Sequence, residues 1–109
     1  MKYEVFLSSE AESDVLAICS YIEEKDSPDS SDRLFNGLQK ACLSLEEFPE
    51  RGHCPPELQR IHVKDYCEIH FKPYRIIFRN TAQNVFIHAI LDGRRNLQDT
   101  LFERITRNT

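Results

Sequence analysis

No long apolar run, no closely spaced pair of cysteines and no internal repeat or linker occurs in this chain. The first absence excludes a membrane-spanning helix, which needs about 18 or more consecutive apolar residues. The second excludes CxxC redox and zinc frameworks. Cys19, Cys42, Cys54 and Cys67 stand singly, three of them inside periodic apolar patterns, and read as small hydrophobes of a reducing compartment. With Cys19 and Cys42 on helix stripes and Cys67 facing a core, no Cys–His nucleophile pair is expected. His53-Cys54 and His62 match no zinc-ligand spacing, so neither a metal nor another cofactor is expected. No secretory leader is expected, because MKYEVFLSSEAES breaks its apolar run after Leu7 and turns acidic. The expectation is a cytoplasmic protein with no membrane partner.

What is present is a chain of one-domain size. Its 109 residues, 40% hydrophobic and 29% charged, are enough for a single two-layer core spanning 1–109. The net charge of −4 hides an asymmetry: residues 1–58 carry 5 Lys/Arg against 13 Asp/Glu, and residues 59–109 carry 9 against 5. An acidic chain grips nucleic acid poorly, so direct DNA binding by this chain alone is not expected. A local basic site on the second half stays open, as does a protein partner.

Periodicity sets out the elements. Lys2–Leu7 alternates, with Tyr3, Val5 and Leu7 on one face, and predicts a strand. Ser9 and Glu12 have capping-box spacing before a helical stripe of Ala11, Val15, Ile18 and Ile22. Ser27-Pro28-Asp29 predicts a second helix start, and Leu34, Leu38, Ala41, Leu45 and Phe48 form its stripe until Pro49. The stretch 48–58, FPERGHCPPEL, reads as irregular. Val63 to Phe71 alternates as a half-buried strand.

Tyr74–Phe78 and Val85–Leu91 then predict a hairpin joined by a polar turn over 80–84. Tyr74, Ile76 and Phe78 should pack under the helices, which leaves Arg75 and Arg79 on the opposite, open face. In the second strand Val85, Ile87, Ala89 and Leu91 oppose Phe86, His88 and Ile90. Asn96 and Asp99 open a last helix with Leu97, Leu101 and Ile105 as its stripe and Phe102 alongside. The predicted class is α+β, a small antiparallel sheet backed by an α-helical hairpin, in the order β-α-α-β-β-β-α.

Four segments, FPERG at 48–52, PPEL at 55–58, KPYRIIF at 72–78 and DGRRN at 92–96, occur in an order and spacing that resembles the RelE/ParE superfamily of toxins from type II toxin–antitoxin modules. The resemblance covers essentially the whole chain. It implies growth inhibition, plasmid stabilization, and an antitoxin that wraps and neutralises the toxin. The superfamily divides into two chemistries. ParE-like members are poisons of DNA gyrase without bond-breaking residues, and RelE-like members are ribosome-dependent mRNA endonucleases.

The two readings divide on charge. Cleavage by a 2′-hydroxyl needs a base, an acid and cations for the phosphate. Arg75 and Arg95 resemble the arginines of RelE-like enzymes, with Arg94 in place of a lysine, and guanidinium forks suit phosphate oxygens. Glu57 and His88, or His70, would stand for the Glu–His pair of other nuclease members. Against this, Glu68 and His70 occupy the strand where RelE-like enzymes carry lysines, and Leu101 and Phe102 stand where they carry a tyrosine. Glu68 also suits a cross-strand pair with an arginine, which would neutralise the site.

The leading expectation is therefore a ParE-like toxin that binds a protein target, DNA gyrase. Arg75, Arg79, Arg94 and Arg95 would then be its target- or antitoxin-binding residues. The alternatives are an endonuclease built on Arg75, Arg95, Glu57 and His88 and targeting the ribosome, or an inactive module.

Overall fold

The computed structural model describes residues 2–107. Its elements are β1 (Glu4–Leu7), α1 (Ser9–Lys25), α2 (Pro28–Leu43), α3 (Pro56–Gln59), β2 (Cys67–Phe71), β3 (Tyr74–Thr81), β4 (Asn84–Asp92) and α4 (Gln98–Arg107). The order is the predicted β-α-α-β-β-β-α with the four-residue α3 added. The strands form one sheet in the order β1-β4-β3-β2.

Both hairpin pairings, β2–β3 and β3–β4, are antiparallel, but β1 lies parallel to β4, so the sheet is mixed rather than wholly antiparallel. The connection explains this. The helical hairpin brings the chain back to the end where β1 begins, and there the Tyr3 amide donates to the Glu46 carbonyl at 2.7 Å. From that end β2 starts in the direction of β1, and two tight reversals deliver β4 alongside β1 with the same sense.

Local chemistry fixes the helix starts. Ser8, one residue before the expected Ser9, caps α1, its Oγ accepting from the Ala11 amide at 3.1 Å. Ser27 caps α2 with Pro28 in the first turn, and its Oγ accepts from the Ser30 amide. After Leu43 the chain tightens into a 3₁₀ turn over Ser44–Glu46, which changes the phase of the stripe. Leu45 stays buried, whereas Phe48, expected in the stripe, turns outward and is more than half exposed. Phe102 is also exposed, because the stripe of α4 is completed by Leu101 and Ile105.

Val63 does not begin β2. Its amide closes α3 on the Leu58 carbonyl at 2.9 Å, just after His62 adopts φ 61, and the strand starts only at Cys67. The turn between β3 and β4 is narrower than 80–84, since Asn80, Thr81 and Asn84 are strand residues and only Ala82 and Gln83 reverse the chain.

Each face of the sheet carries its own core. On one side Ala11, Val15, Leu38, Cys42, Ile76 and Phe78 join the helical hairpin to the strands. On the other, Leu58, Tyr66, Ile77, Ala89, Leu101 and Ile105 seat α3 and α4. Tyr74, Ile76 and Phe78 lie under the hairpin, as their alternation predicts.

In β4 the alternation fails at one point. Phe78 pairs with Ile87 and Ile77 with Ala89, so His88 is an extra, bulged residue. One added residue exchanges the faces of everything beyond it. Ile90 therefore joins Val85 and Ile87 under the helical hairpin, while Ala89 and Leu91 face α4. The bulge is held from outside the sheet. Asp14 of α1 accepts from the Ile90 amide and from both terminal nitrogens of Arg104 in α4, and Arg104 and the Ser8 hydroxyl both donate to the His88 carbonyl. These side chains take the place of a neighbouring strand where β1 has already ended.

Candidate functional site

The strand register builds the candidate site on the face covered by α3 and α4. Glu68 of β2 lies across from Ile77, and His70 lies across from Arg75. Glu68, His70 and Arg75 therefore share one face, with Glu68 and Arg75 as diagonal neighbours. The segment after Gly52 adds a further row, because His53 and Glu68 exchange both backbone hydrogen bonds, at 3.1 and 2.7 Å. A Cβ at Gly52 would stand 2.8 Å from the Phe78 ring and 3.0 Å from the Glu68 carbonyl, so only glycine lets this segment lie against β2. From above, α3 points Glu57 down onto Arg75.

Arg75 is saturated. Its Nε and Nη2 donate to the two oxygens of Glu68 at 2.6 and 2.9 Å, and its Nη1 and Nη2 donate to Glu57 at 2.7 Å each. Glu68 is 1% exposed and the Arg75 side chain 13%. The face expected to be open is thus closed over Arg75, and the cross-strand pairing of Glu68 with an arginine is what the structure contains. Hydrogen bonds from Arg75 hold the Glu57 carboxyl below its ordinary value, and those to Glu57 and Glu68 raise the guanidinium further. A base must be free to take a proton and a phosphate ligand must be free to bind. Neither Glu57 nor Arg75 is free in this arrangement.

The other candidates are dispersed. His88 is buried, its ring edge-on to Tyr66 at 5.2 Å, with both ring nitrogens lacking a hydrogen-bond partner. Burial, then the charge of Arg79, lowers its affinity for a proton. Arg79 itself sits over the Tyr66 ring, 5.8 Å from its centre. Glu57 and His88 are thus engaged separately, one by Arg75 and one by Tyr66.

Arg94 and Arg95 stand together where β4 leaves the sheet. Arg94 is 71% exposed and binds Asp92 through Nε and Nη2, and this contact holds the Asp92 carboxyl down to about 2. Arg95 is exposed, with no ion-pair partner among the described residues. Both line a cleft of about 580 Å³ with Tyr21 and Tyr74. The structure thus brings Arg94 and Arg95 together, places Arg75 under α3, and leaves Arg79 farther along β3 against Tyr66.

Sequence reasoning grouped His53 with Cys54 and His62 and did not bring it to Glu68, because the pairing that does so crosses an apparently irregular loop. It also missed the role of Arg104. Gly52 between Arg51 and His53 was the one available sign of a close backbone approach.

A four-stranded mixed sheet with a helical hairpin on one face and a short terminal helix on the other is the fold of the RelE/ParE superfamily toxins. The chromosomal ParDE toxin–antitoxin system of P. aeruginosa includes a chain similar to this one, with a TM-score of 0.70 and 15% identity, covering 84% of this chain and 96% of that one. The RelBE2 toxin–antitoxin complex of Mycobacterium tuberculosis includes another, with a TM-score of 0.64 and 16% identity, covering 84% and 92%. No curated protein matches the sequence. The model of the family described as ParE toxin of type II toxin-antitoxin system, parDE, matches residues 5–97. This chain belongs to that family of toxins.

Proposed function

We propose that this chain inhibits growth by binding a protein target, DNA gyrase, rather than by cutting RNA, and that a cognate antitoxin holds it inactive. The observation that carries the reading is the saturation of Arg75 by Glu57 and Glu68, through four hydrogen bonds of 2.6 to 2.9 Å. A scissile phosphate would have to displace two carboxylates, in a cluster whose Arg75, Glu57 and Glu68 together carry one net negative charge. That repulsion opposes the main binding term of a nuclease. The exposed pair Arg94 and Arg95, beside Tyr21 and Tyr74, is the better-suited binding surface, since arginine and tyrosine are favoured at protein interfaces.

The antitoxin is assigned to the opposite part of the molecule. Between β1, α1 and α2 lies an apolar groove of about 350 Å³ lined by Val5, Leu7, Leu16, Phe35, Leu38 and Leu43. Leu16 and Leu43 are exposed, and β1 is an edge strand. An amphipathic segment of the antitoxin would cover that apolar surface. The structures similar to this chain come from toxin–antitoxin systems, which supports such a partner.

The test is a supercoiling assay with purified toxin, run beside message integrity in cells expressing the chain alone. Inhibition of gyrase at micromolar toxin with intact messages is the expected result. Uninhibited gyrase with loss of messages would overturn the reading in favour of the ribosome-dependent endonuclease.

A further inference from the structure

We propose that His53, Glu68 and His70 form a binding site for a divalent transition-metal ion, of which zinc is the representative. The site lies at the β2 edge of the sheet and stands apart from the target-binding reading. Three ligand-type atoms, one from each residue, lie within 4.8 Å of one another. His70 Nε2 is 3.1 Å from Glu68 Oε1, and His53 Nε2 is 3.4 Å from Glu68 Oε2. Two ligands bound to one ion at about 2.0–2.2 Å, at angles between octahedral and tetrahedral, stand about 3.0–3.5 Å apart. These separations match those of neighbouring corners of a coordination shell.

The backbone sets these three side chains next to one another. Glu68 and His70 are two apart on one strand and point to the same face. The two-way backbone pairing of His53 with Glu68 sets their side chains next to each other across the edge. Gly52 is what permits that approach.

The carboxylate is also prepared. Each oxygen of Glu68 accepts one hydrogen bond from Arg75, and its second direction meets an imidazole Nε2, that of His70 at Oε1 and that of His53 at Oε2, contacts that a cation between them would replace. Arg75 and Glu57 thereby fix the orientation of the ligating carboxylate, as outer residues do around metal centres. The Arg75–Glu57–Glu68 group has one negative charge in excess, which a bound cation offsets. Both imidazoles are accessible, His53 59% and His70 47% exposed, so an ion can enter and at least one coordination position faces water. Two imidazoles and one carboxylate favour zinc or its neighbours over magnesium or calcium, which prefer oxygen ligands alone. Bound there, the ion joins the segment after Gly52 to β2.

The test is equilibrium dialysis of the purified full chain against Zn(II), with Co(II) as a spectroscopic substitute and thermal unfolding in Zn(II) or chelator alongside. One ion per chain is expected, with visible Co(II) bands from nitrogen ligation and a higher unfolding midpoint in Zn(II). His53→Ala and His70→Ala should each weaken binding at least tenfold and the double variant abolish it. Their circular dichroism should be unchanged, since both side chains are exposed. His62→Ala and Cys54→Ser should bind as the parent does. The proposal fails if no ion binds at about 100 µM Zn(II). It fails equally if the double variant binds as tightly as the parent, or if Cys54→Ser removes the binding.

Discussion

The two edges of the sheet have opposite constructions. At the β2 edge, charged and imidazole side chains converge on Glu68, and Arg75 is held by two carboxylates under α3. At the β1 edge, Val5 and Leu7 border an apolar groove between the helices, rimmed by the exposed Leu16 and Leu43. One edge satisfies its polar groups internally, and the other leaves apolar surface uncovered. Buried charges must be paired within the molecule, because leaving one unpaired costs several kcal/mol. Exposed apolar surface is tolerated in the isolated chain and becomes favourable only when something covers it. The first edge therefore stabilises the fold, and the second is suited to a partner.

The largest break in this contrast should come from Arg75→Ala, which leaves Glu57 and the buried Glu68 at the β2 edge without their shared cation. A loss of about 3–5 kcal/mol is expected in urea unfolding. Adding Glu68→Gln to Arg75→Ala should recover part of it, because the fully buried carboxylate left without its cation is then neutral. An Arg75→Ala chain as stable as the parent would mean the β2 edge is not held by its ion pairs.

His88 tests the region between the edges. It is buried with both ring nitrogens unpartnered, so His88→Leu should stabilise by about 1–2 kcal/mol. The pH dependence has a defined sign. Burial keeps the folded imidazole below its unfolded value of about 6.5, so the unfolded chain binds the extra proton. Stability should be present above pH ~6.5 and fall as the pH drops below it, and His88→Leu should flatten that fall. Unfolding midpoints between about pH 7.5 and 5 are the measurement. Glu57, held down by Arg75, adds a loss of the same sign at lower pH, below about 4.3.

Smaller still is the turn at the end of both central strands. Ala82 has φ 46, a left-handed conformation that costs an L-residue about 1 kcal/mol. Ala82→Gly should recover about 0.5–1 kcal/mol, read from the same urea curves. At the β1 edge, Leu16→Ser with Phe35→Ser should leave stability within about 0.5 kcal/mol of the parent, since both side chains are exposed. The double variant should nonetheless lose at least tenfold in affinity for the proposed cognate antitoxin, measured by calorimetry. Unchanged affinity would place the antitoxin elsewhere.

Much of this construction was legible in the residues. Ser27-Pro28 announced α2, the 3.6-residue stripes of α1 and α2 named one core, and the alternation of Tyr74, Ile76 and Phe78 placed β3 under the helices. Glu68 could be matched to an arginine before either was located, because a carboxylate on a half-buried strand requires a partner. The bulge at His88 could not be read. Nothing in VFIHAIL signals one extra residue, since that stretch is apolar on both faces, and the bulge depends on Asp14 and Arg104 arriving from distant helices.

The sequence by itself determined the order of elements, the face of β3 and the family, because periodicity, capping and motif spacing act over short distances. Only the tertiary structure decided the parallel pairing of β1, the closing of α3 over Arg75 and the meeting of His53 with Glu68 and His70. Each depends on residues far apart in the chain whose separation is set by packing, and no local pattern encodes where a loop is carried when the core closes.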